Sequence, residues 1–87
     1  MYVIVVYDVQ KGRTEMFKKF CRSKLNHVQN SVFEGQVTDA MAKNIEESLR
    51  SMSKEDENII IYKSWSIEYL DRIVIGSDPT PKDAHIL

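Results

Sequence analysis

The sequence predicts an α+β domain with its helices on one face of an antiparallel sheet, and three observations predict it. An unbroken β-branched and aromatic run, Tyr2-Val3-Ile4-Val5-Val6-Tyr7, stands at the start. Two later segments place apolar residues at three- and four-residue spacing, the mark of an amphipathic helix. Each of these is followed by a further strand-like stretch. The 87 residues suit one domain, and at this size roughly 60–70% of the unfolded surface is buried on folding.

The run Tyr2 to Tyr7 is too short for a typical helix and too apolar for an edge strand with one wet face, so it is read as a central strand covered on both sides. Gly12 breaks the pattern. Met16, Phe17, Phe20, Cys21 and Leu25 then line one face of a helix from about Arg13 to Leu25. His27 to Phe33 returns to strand composition, and Glu34-Gly35 is expected to make a tight turn, Gly35 supplying positive φ, into a short strand at Gln36-Val37. Thr38 is a candidate N-cap, with Asp39 in the first turn of a helix whose face carries Met41, Ile45, Leu49 and Met52. The polar stretch Ser53 to Asn58 leads to a strand at Ile59-Ile60-Ile61-Tyr62.

The resulting order, β, α, β, short β, α, β, is the ferredoxin-like βαββαβ pattern. Helices cover only one face of such a sheet. Burying the other face, which still carries apolar residues from Tyr2–Tyr7, against a second copy predicts a homodimer. Arg72-Ile73-Val74-Ile75-Gly76 is expected to add a C-terminal strand, after which Pro79 and Pro81 end regular structure. The domain is therefore drawn over residues 1–76, with a tail over 77–87.

Composition excludes several function classes. Cys21 is the only cysteine, so no disulfide staples the chain, and its place in the helix stripe marks it as core. His27 and His85 have no partners at ligand spacing, which argues against zinc. Hydrophobic residues at 43% and charged residues at 29% argue against general disorder. The chain opens on its first strand with no basic leader and no apolar stretch near ~18 residues, which is read as a cytoplasmic protein with no membrane partner. Net charge is only −1, yet Lys11, Arg13, Lys18, Lys19, Arg22 and Lys24 face Glu15 alone in one segment, whereas acids dominate from Glu34 to Glu57. One face can thus be basic although the molecule is not.

Three segments resemble a known family: Tyr2-Val3-Ile4-Val5-Val6-Tyr7-Asp8-Val9, Gln29-Asn30-Ser31-Val32-Phe33-Glu34-Gly35, and Arg72-Ile73-Val74-Ile75-Gly76. Their order and spacing are similar to those of the small CRISPR-associated proteins of spacer acquisition, the Cas-two family. The resemblance implies a ferredoxin-like homodimer in which each C-terminal strand adds to the partner's sheet. It also implies a bridge between two dimers of the CRISPR integrase, holding DNA for insertion. It implies, further, a metal-dependent nuclease of RNA or double-stranded DNA, with Asp8 as catalytic residue and ligand of Mg²⁺ or Mn²⁺. The tail would then serve dimer or integrase contact, with Ile86 and Leu87 docked on protein.

Read from the residues alone, Asp8 is either a solvated strand-end acid beside the Gly12 loop or a carboxylate that meets a cation. One chain offers it no second acid, whereas a dimer would supply Asp8 from both protomers, and Mg²⁺ commonly takes one or two carboxylates with water completing its shell. Tyr7 and Phe33 are supporting residues of core type, and Ser31 could bond a phosphate oxygen or its own hairpin. Lys11, Arg13, Lys18, Lys19 and Arg22 are a solvated helix face or a set of phosphate contacts, which carry no sequence code. The competing functions are an endonuclease, a non-catalytic nucleic-acid scaffold, and a small ferredoxin-like metabolite-binding regulator. No Gly-rich phosphate loop supports the last.

Overall fold

The structure, a computed structural model, describes residues 1–80. Its elements are β1 (Tyr2–Asp8), α1 (Thr14–Arg22), β2 (Asn26–Gln29), β3 (Val32–Gln36), α2 (Asp39–Met52) and β4 (Asn58–Ser64), followed by a 3-10 turn at Ile67–Tyr69. The four strands form one antiparallel sheet in the order β2-β3-β1-β4. β1 is central, as its apolar run requires, with Val5 opposite Phe33 on one side and Ile61 on the other. Met1 and Val37 extend the β1–β3 ladder by exchanging hydrogen bonds of 3.0 and 2.8 Å.

Alternation along β1 separates two faces. Val3, Val5 and Tyr7 are buried with Phe33 under Phe17 and Cys21 of α1 and Ala42, Ile45 and Leu49 of α2, which make the core. Phe33 is stacked between two rings, with Tyr7 at 6.2 Å and His27 at 4.5 Å. The opposite face carries Ile4, Val6, Val32, Ile60 and Tyr62 and has no layer of helices over it. Ile60 and Tyr62 stay exposed there, as do Trp65 and Tyr69 beyond β4.

Three expectations need correction. Helix α1 is shorter than Arg13 to Leu25, because the chain turns at Ser23 toward β2; the Lys24 and Leu25 amides both donate to the Cys21 carbonyl, and Leu25 is buried outside the helix. The hairpin turn lies at Asn30-Ser31, not at Glu34-Gly35. Gly35 sits inside β3 opposite Val3, and only Gly76 has positive φ among the described residues. What Gly35 supplies is a close approach, since a Cβ there would lie 3.3 Å from Leu25 Cδ2. No separate strand forms at Gln36-Val37: Gln36 ends β3 and Val37 follows it, and Val28 is the extra residue of a bulge between His27 and Gln29.

Arg72–Gly76, expected to add to a partner's sheet, belongs to none of the strands of this chain's own sheet. Arg72 is tied to Glu34 on the open face, and to Asp78 at 2.9 and 3.2 Å and Thr80 at 3.1 Å. This clasp holds Arg72 over the sheet rather than along an edge, and Gly76, at φ 101°, bends the chain back. Asp78 and Thr80 are held to Arg72 by these bonds, while the expected contacts of Ile86 and Leu87 lie outside the described residues. Burial first, then a hydrogen bond with Glu34, raises the Tyr2 hydroxyl far above the usual range under this cover.

Candidate metal and nucleic-acid site

Asp8 is the last residue of β1, exposed, and opposite Asn58, the first residue of β4. Its even position puts it on the open face with Ile4 and Val6. The strand pattern explains the placement. An apolar run needs a polar residue where it leaves the core, and here that residue emerges on the face without helices.

Two other predicted residues join it at this end of the sheet. Ser31 forms the hairpin turn, and its carbonyl accepts the Tyr7 amide at 3.1 Å, which ties the turn to the residue before Asp8. Lys11 is exposed in the loop that follows β1. Lys18, Lys19 and Arg22 lie in the helical layer instead, spaced at three and four residues along α1, with Lys19 and Arg22 exposed. Among the described residues no ion pair engages Lys11, Lys18, Lys19 or Arg22.

Arg13 is different. Its guanidinium donates to Glu57 at 2.6 and 3.0 Å and to the Met52 carbonyl at 2.7 Å, and it lies 5.5 Å from the Phe17 ring centre. Arg13 is thus held by the protein through Nε and Nη2, unlike the other bases of the segment. The Glu57 side chain is fully buried, and the hydrogen bond from Arg13 holds its carboxyl at about 2 against the opposing effect of burial. Backbone amides of Lys54 and Gln10 add to that stabilisation at 2.9 and 3.2 Å. Sequence reasoning passed over Glu57 as part of a polar link, and one signal was present: Arg13 stands where a helix N-cap would favour Ser, Thr, Asp or Asn.

Tyr7 and Phe33 are buried core residues behind the site. Burial raises the Tyr7 hydroxyl, which has no hydrogen-bond partner among the described residues. Cys21 is buried, and its thiol is pushed up to about 12, so it stays protonated and unreactive at neutral pH. Among the described residues no three of His, Cys, Asp and Glu gather to hold a metal ion. An Mg²⁺ or Mn²⁺ ion at the exposed Asp8 carboxylate would need its other ligands from water or from a second chain. No described helix is long and apolar enough to cross a membrane.

Residues 1–71 match the family model described as CRISPR associated protein Cas2. The chain is similar to the CRISPR-associated endoribonuclease Cas2 of Methanocaldococcus jannaschii, with 40% identity over 84 residues that cover 95% of this chain and 74% of that protein. It is similar to the Pyrococcus furiosus protein of the same name, with 45% identity over 80 residues, 91% of this chain and 94% of the relative. Two crystal structures share the fold: one of Cas2 at TM-score 0.79 and 40% identity, covering 93% of this chain and 92% of that one, and Streptococcus pyogenes Cas2 at pH 6.5, at TM-score 0.66 and 29% identity, covering 85% and 100%. With one α+β fold and matched sequence over most of its length, the chain belongs to the CRISPR associated protein Cas2 family.

Proposed function

We propose that the chain works as a homodimer joined through its open sheet face, binds nucleic acid, and holds a divalent cation between the Asp8 carboxylates of the two protomers. The observation that carries this reading is the position of Asp8, an exposed acid on the same face as the uncovered apolar residues Ile4, Val6, Ile60 and Tyr62. A second copy seated there covers the apolar patch and brings a second Asp8 near the first. Like charges so close raise at least one pKa until a cation relieves them. Mg²⁺ or Mn²⁺ in that place would acidify a water for in-line attack on a phosphodiester and neutralise charge on the phosphate.

The relatives' shared name, endoribonuclease, supports cleavage of RNA, and double-stranded DNA offers the same phosphodiester chemistry as a second substrate class. Lys11, Lys18, Lys19 and Arg22 supply sequence-independent phosphate contacts, and the Ser31 hydroxyl a further one beside Asp8. A scaffold role is favoured by one observation, that among the described residues no three of His, Cys, Asp and Glu gather at Asp8. In that role the dimer bridges integrase dimers and holds DNA during spacer acquisition, and cleavage is secondary.

The test compares wild type with Asp8→Asn on RNA and duplex DNA, with and without Mg²⁺ or Mn²⁺, with light scattering on both proteins. The expected result is a dimer of about 20 kDa in each case, metal-dependent cleavage by wild type only, and retained duplex binding by the variant. Cleavage that survives the substitution removes Asp8 from the site, and a monomer at every concentration overturns the shared cation. Spacer insertion by Asp8→Asn together with the integrase would place the principal role in the scaffold, and loss of insertion by the folded, DNA-binding variant would place it in catalysis.

A further inference from the structure

The β1–β4 ladder ends at the Asp8–Asn58 pair, and beyond it the two strands separate into the loops 9–13 and 53–57. The end of a ladder on an exposed face is where a sheet frays first. Here side chains close that end. Glu57 accepts from the Gln10 amide at 3.2 Å, the Lys54 amide at 2.9 Å, and Arg13 Nε and Nη2 at 2.6 and 3.0 Å. Gln10 Nε2 donates to both oxygens of Asp56 at 2.8 and 3.0 Å, and Arg13 Nη2 reaches the last carbonyl of α2, on Met52, at 2.7 Å. Each loop is stitched to the other directly behind Asp8.

We infer that Glu57, held by Arg13, is a positioning residue that fixes the Asp8 strand end and the Lys11 loop in one orientation. The inference rests on the reading of Asp8 as a shared cation ligand. Two features separate it from ordinary loop packing. A fully buried carboxylate is costly unless its lone pairs are met, and this one accepts four hydrogen bonds, three of them from the loop that follows Asp8. In addition, the N-cap position of α1 is held by Arg13 with no side-chain cap bond, so helix stability is forgone where the guanidinium is needed for Glu57. A cation shared by two chains needs both carboxylates at a set separation, and small displacements of a strand end would spread them.

The experiment uses the full chain and three variants: Glu57→Gln, which keeps shape and removes charge, Arg13→Lys, which keeps charge and removes the fork, and Asp8→Asn. Two quantities are read, amide hydrogen exchange without metal and Mn²⁺ affinity from paramagnetic broadening of the amides near Asp8. In Glu57→Gln, exchange at Val9 to Lys11 should quicken while the centre of β1 keeps its protection, and Mn²⁺ affinity should fall about 10-fold. Arg13→Lys should move both readouts in the same direction by less, and it serves alone if Glu57→Gln does not fold. Unchanged exchange or unchanged Mn²⁺ affinity in a folded variant overturns the positioning role. Equal Mn²⁺ binding by wild type and Asp8→Asn overturns the metal reading itself, and the role of Glu57 with it.

Discussion

Glu57 shows how one buried acid can tie stability to pH. Its folded-state value of about 2 lies below the ordinary 4.5, so the group contributes stability that is fully present above the ordinary value. That contribution is lost as pH falls from about 4.5 toward 2, because the unfolded chain takes up the proton first. In Glu57→Gln the acid limb of a urea-midpoint profile should therefore flatten over this window, with lower stability at neutral pH where the charged pair is removed. A variant profile parallel to wild type between those pH values would show that Arg13 does not act on an ionised Glu57. The same acid also shows a limit of reading residues singly. Arg13 and Glu57 are 44 positions apart, and each alone resembles a solvated surface charge.

At the scale of elements, the two helices begin in opposite ways. Thr38 caps α2, its Oγ1 accepting the Met41 amide at 3.1 Å, while α1 has no side-chain cap. Thr38→Ala should cost about 1 kcal/mol in urea unfolding, within the roughly 0.5–2 kcal/mol range for such caps. An unaffected midpoint would mean that packing of Ala42, Ile45 and Leu49 alone holds the first turn. This cap was legible because donor and acceptor lie within a few neighbouring residues. The hairpin was not placed correctly, because Glu34-Gly35 and Asn30-Ser31 are both acceptable turn sequences and local chemistry favours the glycine. Pairing across the sheet settled it: with Phe33 opposite both Val5 and His27, β3 must run through Gly35, and the turn falls at Asn30-Ser31.

At the scale of the molecule, charge and apolar surface lie on separate layers. The bases of α1 sit on the helical side, and the apolar patch lies on the open side of the sheet together with Asp8. Replacing Lys18, Lys19 and Arg22 with Ala should weaken binding to unrelated duplexes to a similar degree and lower the salt slope by up to about 3, roughly 0.9 for each phosphate no longer neutralised. Arg13 is left out of this set because its replacement would also break the ion pair with Glu57. Binding measured by anisotropy over a salt series checks the outcome; an unchanged affinity and slope would make these residues a solvated face. The open side is assigned to the proposed dimer, and its test is the light scattering that accompanies the cleavage assay.

The sequence by itself determined the α+β class, the central place of Tyr2 to Tyr7, the extent of α2 and the candidacy of Asp8, because each follows from periodicity or local chemistry over a few neighbouring residues. The resemblance to the Cas2 family was legible in the same way, carried by short motifs of contiguous residues. Tertiary structure alone decided which charges are paired over long range. It paired Arg13 with Glu57 and Arg72 with Glu34 and Asp78, across 44, 38 and 6 positions. It also left Arg72–Gly76 outside the chain's own sheet, because a strand is defined by its neighbour and that neighbour is not found among the described residues of one copy. Such pairings depend on which faces the fold brings together, and no local spacing records them.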